Sequence, residues 1–315
     1  MAKHLVTGGA GFIGSHIAET LVERGDAVRV LDNLSTGKME NLAGIRARIE
    51  FVEGDIRDLK TCRRAVEGVE TVYHEAALAS VVRSVADPLL NDAINVGGTL
   101  NLLVAAKDAG VRSFVLASSS AVYGDDPAMP KVEGREGKPL SPYGVSKLVD
   151  EKYAQVFHVL HGLNAVALRY FNVFGPRQDP HSEYSAVIPL FIHKMLRGER
   201  PTIYGDGEQS RDFIYVGDVV RANLAAAASP AAAGEAINVA CGVGTTVNGL
   251  LAAVNGVLGT AIAAVHKDPR PGDILHSTAD ITKARRLMRY EPGLTFLEGL
   301  EKTVDWYKRR HLQRS

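Results

Sequence analysis

Cysteine is almost absent from this chain of 315 residues. The two present, Cys62 and Cys241, are far apart and lack metal-ligand spacing, which argues against a disulfide framework or a cysteine zinc site and leaves two reduced thiols as the expectation. Net charge is absent too, because 36 basic side chains balance 36 acidic ones. Such a protein has no long-range field to gather nucleic acid or an anionic membrane, so an anionic ligand has to be held by a few placed groups. An apolar leader is missing: Met-Ala-Lys runs straight into a strand-like segment and a glycine turn, and the expected location is cytoplasmic. Charge also disappears between Ala236 and Val265, but five glycines and three asparagines interrupt that stretch. It reads as strand, turn, helix and strand in a protein interior and not as a membrane span. The remaining composition, 46% hydrophobic and 23% charged, is that of a globular protein with material for a real core.

What is present is a rhythm. Strand candidates at His4–Thr7, Ala27–Asp32, Ile49–Glu53, Thr71–His74, Ser113–Ser118 and Asn164–Arg169 alternate with helical patterns, notably Phe12–Arg24, Pro88–Ala109 and Pro142–His161. This alternation implies a parallel sheet covered on both faces, with ligands at the carboxyl ends of its strands. Beyond Phe171 helical segments at Ile188–Arg197, Asp218–Ala228, Val247–Leu258, Thr282–Met288 and Phe296–Arg310 are separated by short pieces rich in Gly, Pro and Asp. The expected plan is an α/β nucleotide-binding domain over 1–171 and a smaller α/β substrate domain over 172–315, some of whose segments return to the first sheet. The ligand cleft would lie between them.

Thr7-Gly8-Gly9-Ala10-Gly11-Phe12-Ile13-Gly14 joins the first strand to the first helix and fits G-x-G-x-x-G from Gly9 and G-x-x-G-x-x-G from Gly8. Glycines let the backbone turn sharply, approach a pyrophosphate closely and pack helix on strand, while the helix N-terminus attracts the anion. Asp32 ends the second strand eighteen residues after Gly14, where a carboxylate grips a ribose diol. That charge repels a 2′-phosphate, and Asn33-Leu34-Ser35 offers no arginine to receive one. The reading is a Rossmann-type doubly wound sheet that binds NAD in preference to NADP. Asp55-Ile56 and Asn95 are further contacts with the cofactor, or a cap and a helix-packing group.

Ser141-Pro142-Tyr143-Gly144-Val145-Ser146-Lys147 opens a helix, with Ser141 as its cap and Pro142 in its first turn. Tyr143 and Lys147 then share one face. An ammonium beside a phenol stabilises the phenolate, which makes the tyrosine a general base. Upstream, a strand ends in Ser118-Ser119-Ser120, at the edge where a hydroxyl can hold a substrate alcohol between tyrosine and nicotinamide.

From these residues the chain resembles the extended short-chain dehydrogenase/reductases that act on nucleotide sugars. The resemblance runs nearly end to end, through the glycine turn, Asp32-Asn33, Asn95-Val96-Gly97-Gly98-Thr99, Tyr123-Gly124, Tyr143/Lys147, Arg169-Tyr170-Phe171-Asn172, Arg211-Asp212-Phe213-Ile214-Tyr215-Val216 and Arg270-Pro271-Gly272-Asp273. Within that family it is most similar to UDP-hexose 4-epimerases, and among them to those acting on UDP-N-acetylglucosamine. The likeness implies Ser119, Tyr143 and Lys147 as catalytic residues, and NAD held by Gly8, Gly11, Phe12, Ile13, Gly14, Asp32, Asn33, Ser35, Thr36, Gly37, Asp55, Ile56, Ala76, Ala77, Asn95, Tyr143, Lys147 and Phe171. It implies a UDP-sugar held by Ala79, Ser80, Ser119, Ser120, Asn172, Val187, Tyr204, Arg211, Arg270, Asp273 and Ser277. Arginine forks suit a diphosphate, so Arg211 and Arg270 are its candidates; the alternative for each is an ion pair with Asp212 or Asp273.

The reaction the resemblance implies is C4 epimerisation through a transient 4-keto sugar, with NAD regenerated in each cycle and retained. The 4,6-dehydratases of the family carry an acid beside the catalytic hydroxyl, where this chain has Ser120 and Ala121. Ser277 stands where glucose-restricted epimerases often carry a tyrosine, which leaves room for an N-acetyl group, and Leu78-Ala79-Ser80-Val81-Val82-Arg83 resembles the matching loop of the N-acetyl enzymes. Alternatives are a UDP-glucose/UDP-galactose epimerase, a UDP-hexuronate epimerase, and an NAD-sensing protein without chemistry. No metal is expected: His158 and His161 lie three apart on a helix without an acidic or cysteine partner nearby. The resemblance also implies a homodimer built from the helices at 88–109 and 142–161.

Overall fold

The computed structural model describes residues 2–180, 186–269 and 275–312. Its strands in chain order are β1 (Lys3–Thr7), β2 (Ala27–Asp32), β3 (Ile49–Glu53), β4 (Thr71–His74), β5 (Ser113–Ser119), β6 (Asn164–Tyr170), β7 (Asn172–Phe174), β8 (Thr202–Tyr204), β9 (Ser210–Tyr215), β10 (Ala236–Val239), β11 (Gly244–Thr246), β12 (Val265–Lys267) and β13 (His276–Ser277). Seven of them form one sheet in the order β10-β6-β5-β4-β1-β2-β3. All of its pairings are parallel. The central strands are short apolar runs rich in valine and leucine, as a sheet buried on both faces requires.

Helices cover both faces. On one side Phe12–Glu23 and Val216–Ala227 bring Ile17, Leu21, Val219 and Ala222 onto Val6, Val30, Val115 and Leu168 of the sheet. On the other, Leu59–Val66, Gly98–Asp108 and Pro142–His161 bring Cys62, Leu102 and Ala154 onto Leu5, Val72 and Phe114. Each fully buried leucine or valine contributes roughly 1.5–3 kcal/mol relative to exposure. The helix starts are fixed by side chains: Asp58 accepts from the amides of Lys60 and Thr61, Ser141 from Gly144, and Thr246 from Gly249.

The doubly wound sheet matches the expected fold. The uncharged stretch 236–265 separates into β10, β11, the helix Val247–Leu258 and the start of β12. β10 forms the sheet edge beside β6, and the helix Val216–Ala227 covers the first sheet, so segments from beyond residue 171 complete that layer. The rest of the C-terminal portion has its own cluster of Phe174, Ile192, Phe213, Leu250 and Val304. Its small sheet is built on β9, which pairs β11 antiparallel and β7 and β13 parallel.

The helix expected at Pro88–Ala109 is one continuous run, Pro88–Asp108, with a wider π turn at Ala93–Gly97 between Pro88–Asp92 and Gly98–Asp108. The buried Asn95 side chain within that turn reaches out to Leu78, and such turns mark a helix widened to place a side chain. A short helix, Val81–Ala86, also forms where no helix was expected, capped by Ser80 accepting from the Arg83 amide at 3.2 Å.

Candidate active site

The strand order reverses at β1 and β4, and a cavity of about 1070 Å³ opens at the carboxyl ends of these strands. Its floor is the glycine turn. Gly8 has φ +64°, and a Cβ there would stand 2.7 Å from the Ala76 amide nitrogen, so only glycine lets β1 pass this close to the end of β4. The helix Phe12–Glu23 begins without a side-chain cap, leaving its first amides for a ligand. This cradle, which a side chain would fill, fits a pyrophosphate.

Gly8, Gly11, Phe12, Ile13, Gly14, Asp32, Asn33, Ser35, Thr36, Gly37, Asp55, Ile56, Ala76 and Ala77 all line the cavity, as do Ala79 and Ser80. Asp32 is held by the amides of Ala10 at 2.9 Å and Leu34 at 2.8 Å. Burial nevertheless pushes its carboxyl above the ordinary value, against those hydrogen bonds. Asn33 donates to Asp55 at 2.9 Å, and Arg57 forks onto the same carboxylate at 3.0 and 2.8 Å. These contacts hold Asp55 well below the usual carboxylate range and commit Arg57 to it, leaving the ribose end acidic.

Beside the cavity, β5 delivers Ser119, whose oxygen accepts from the Ala121 amide at 3.1 Å and keeps its hydrogen to donate. Ser118 is committed elsewhere, donating to Glu151 at 2.5 Å, and Ser120 starts the turn that follows. The helix carrying Tyr143 and Lys147 begins against that turn: a Cβ at Gly144 would lie 2.8 Å from the Ala121 carbonyl oxygen. Ser119 and Tyr143 are thereby brought to one edge. Lys147, one helical turn on, is buried, with its ammonium 3.5 Å from Asp150. Tyr143 is anchored by its amide, which donates to Ser84 at 3.1 Å.

Other expected residues have different places. Asn95 is fully buried and commits its amide group to both polar atoms of the Leu78 backbone and to Asn91 and Ser146, so it shapes the wall and does not face the cavity. Phe171 is buried in an apolar cluster with Val122, Tyr123, Ala240 and Ile281. Asn172, Arg211 and Ser277 converge through β9: Ser277 pairs with Arg211 and Asn172 with Phe213, two residues on. Arg211 donates to the carbonyls of Ser210 at 2.9 Å and Leu275 at 3.4 Å. Val187 opens the helix Val187–Leu196, and Tyr204 lies on β8 opposite Lys267. Arg270 and Asp273 lie outside the described residues.

Three features escaped the sequence reading. Glu75 lines the cavity, accepts from the Tyr170 hydroxyl at 2.7 Å, and is pushed by burial up to about 7. Asp212 is buried and accepts from the amides of Cys241 at 2.8 Å, Gly242 at 2.9 Å and Ala279 at 3.2 Å, joining β9 to the end of β10. Burial raises it to about 6 despite those bonds. The third is the outer cavity wall, made by Arg177, Gln178 and Asp179 with Trp306, Tyr307 and Arg310 of the helix Phe296–Leu312. Lys38 reaches Asp179 at 2.6 Å and Arg310 pairs with Glu40, tying the loop after β2 to that wall. No short motif announces any of them.

The model of the NAD dependent epimerase/dehydratase family matches residues 4–240. The chain belongs to this family. NAD is therefore the cofactor that the glycine cradle and Asp32 fit. A solved UDP-N-acetylglucosamine 4-epimerase from Methanobrevibacter ruminantium M1, in complex with UDP-N-acetylmuramic acid, superposes with a TM-score of 0.94 at 44% identity, covering 98% of this chain and 99% of that one. The UDP-glucose 4-epimerase of Thermotoga maritima with UDP-glucose gives 0.93 at 42%, over 98% and 99%. A putative UDP-glucose 4-epimerase of Methanocaldococcus jannaschii is 42% identical over 306 residues, 96% of this chain and 98% of the relative.

Proposed function

We propose that the protein interconverts the C4 epimers of UDP-hexoses, with UDP-N-acetylglucosamine and UDP-N-acetylgalactosamine as its preferred pair. What supports this reading is that the helix bearing Tyr143 and Lys147 begins against the turn after Ser119, at the carboxyl end of β5, in a protein whose glycine cradle fits NAD. Tyr143 takes the proton from the sugar O4, Lys147 supplies the positive charge that steadies the phenolate, and Ser119 donates to the same sugar oxygen. Bound NAD supplies the hydride acceptor, which gives the hydride back to the opposite face of C4. Between these events the 4-keto sugar turns while its UDP stays on Arg211 and Asn172, joined on the resemblance by Arg270 and Asp273. An arginine matches the diphosphate that a protein of zero net charge does not attract at long range.

The sugar preference rests on Ser277, a small buried residue paired with Arg211 where a tyrosine would fill the space taken by an N-acetyl group. Relatives named for glucose and for N-acetylglucosamine match the chain about equally, so the serine is the argument. Purified protein given UDP-N-acetylglucosamine and no added NAD should form UDP-N-acetylgalactosamine, resolved by NMR. No product, or an undiminished rate in Tyr143→Phe, refutes the mechanism. Ser277→Tyr should lose the acetylated pair first; equal loss on both pairs refutes the preference.

The protein is also proposed to work as a homodimer. Val82, Val85 and Leu89 are exposed on segments that pack against the helix Pro142–His161, which itself exposes Val145, Val156, Val159 and Leu160, and exposed apolar side chains gathered in this way suit an interface. A light-scattering mass of one chain would refute this.

A further inference from the structure

Asp150 and Glu151 are neighbouring acids on the helix Pro142–His161, and both are buried. Glu151 is fully answered, with Arg169 donating to its two oxygens at 2.8 and 2.7 Å and Ser118 donating at 2.5 Å. Asp150 is not. One of its oxygens is 3.5 Å from the Lys147 ammonium, well beyond the 2.7–2.9 Å of a strong charge-assisted bond, and the other has no hydrogen-bond partner among the described residues. Burying such a carboxylate works against stability, so packing alone gives no reason for it.

The carboxylate is also the end of a buried polar chain. Ala76, at the end of β4, gives its amide to the Thr7 hydroxyl at 3.3 Å, and Thr7 lies 2.7 Å from Nδ1 of His74. Nε2 of His74 lies 2.9 Å from the Thr99 hydroxyl, which stands near Asp150 and favours its charged form. Burial lowers His74 to about 3, so its imidazole is neutral. The chain runs from the residue before the glycine turn to the lysine beside Tyr143.

We propose that Asp150 is a positioning residue whose buried carboxylate, 3.5 Å from the Lys147 ammonium, sets how much of the Lys147 charge reaches Tyr143. This rests on the roles proposed above for Tyr143 and Lys147. The negative charge opposes the field of the ammonium, so removing it makes the Tyr143 hydroxyl easier to ionise. Burial lifts Asp150 to about 7, and its charge therefore develops across the neutral range.

The surrounding charges leave Asp150 as the variable one beside Lys147 on this helix. Glu151 is neutralised by Arg169, and His74 carries no charge. Glu75, just after β4, also acts on Lys147 and is lifted to about 7, so its charge varies alongside that of Asp150, and Asp150→Asn removes only the share that comes from Asp150. On the segments 81–97 packed against the helix, Arg83, Asp87 and Asp92 are exposed and screened by water.

The test is Asp150→Asn, which keeps the volume and an oxygen for Thr99. Tyrosinate formation is followed by ultraviolet titration of NAD-loaded protein, subtracting Tyr143→Phe, and kcat is measured against pH on the same samples. The Tyr143 midpoint and the acid limb of kcat are both expected to move to lower pH by about one unit. Asp150→Glu, which keeps the charge, is expected to stay near wild type. An unmoved midpoint with kcat lowered by one factor at every pH would show a merely structural role and overturn the proposal, as would Asp150→Glu moving like Asp150→Asn. Should Asp150→Asn fail to fold, Thr99→Val removes a hydroxyl that favours the charged form of Asp150 and is expected to move the midpoint in the same direction by less; no movement overturns the proposal. The titration needs no turnover, so absence of epimerisation in wild type would refute the functional reading while leaving this test intact.

Discussion

Glu151→Ala is the perturbation whose consequence the structure defines most closely. The Arg169 guanidinium is buried, forks onto Glu151 at 2.8 and 2.7 Å, touches Glu136 at 2.6 Å and lies 4.9 Å from the centre of the Tyr123 ring. Removing Glu151 leaves that cation desolvated with only the partly exposed Glu136 to answer it, and takes the acceptor away from Ser118. Breaking one side of a buried pair costs about 3–5 kcal/mol. For a protein of this size that corresponds to a midpoint of thermal unfolding lower by roughly 6–15 °C. Replacing both partners by apolar residues, Glu151→Met with Arg169→Met, leaves no orphaned charge and is expected to cost less than either single change. Urea and thermal unfolding at pH 7 with matched NAD content measure this. A single variant within about 1 kcal/mol of wild type, or a double variant that loses the sum of the singles, would refute the reasoning. Because Ser118 and Glu151 fasten the helix bearing Tyr143 and Lys147 to the strand bearing Ser119, kcat should also fall in Glu151→Ala, seen in steady-state assays.

Gly8→Ala places a Cβ 2.7 Å from the Ala76 nitrogen at φ +64°, so the purified protein should carry little or no NAD, as measured by extraction and chromatography. Lys38→Ala combined with Arg310→Ala unties the loop after β2; each exposed pair contributes at most about 1 kcal/mol, so NAD should dissociate a few times faster, and high salt should do the same to wild type. Unchanged dissociation would show that the ties do not retain the cofactor. Glu75 is raised by burial from its ordinary 4.5 to about 7, so its contribution to stability is fully present below pH 4.5 and is lost as pH rises through 7. Glu75→Gln should therefore match wild type near pH 4.5 and exceed it in melting temperature near pH 8, by an amount of order 3 kcal/mol at most. Phe174→Ala, which empties a ring site packed edge-on by Phe213, Tyr215 and Phe296, should cost about 3–5 kcal/mol in urea unfolding.

What the sequence made legible is what short-range chemistry encodes. The seven-stranded sheet, the glycine cradle, the acid ending β2 and the Tyr143/Lys147 spacing are each stated within one or two turns of chain. Of the two readings open for Asn95, its bonds match the helix-packing one, and the sequence does not decide between them because its partner Leu78 lies in a separate loop. The π turn at Ala93–Gly97 accompanies that bond inside a helix that continues through it. Asp212, inside a motif that carried the resemblance, looked like an ion-pair partner for its neighbour Arg211. Alternation along β9 instead sends it into the interior, where three amides from distant segments meet it. Arg57 is four residues beyond the third strand candidate, yet only the fold shows that Asp55 occupies it. Where residues far apart in the chain supply the partners, as with Arg310 and Glu40, no local pattern exists to be read.

The outer wall of the cofactor cavity has a consequence for synthesis of the chain. The glycine turn and Asp32 leave the ribosome first, yet the outer wall of the cavity comes from Arg177–Asp179 and from Trp306, Tyr307 and Arg310. A nascent chain that has made all its pyrophosphate contacts still holds an open groove. Dinucleotide capture is thus coupled to arrival of the helix Phe296–Leu312, so a polypeptide arrested before that helix leaves the ribosome keeps the ligand poorly. Cofactor retention then reports on whether the last helix has docked.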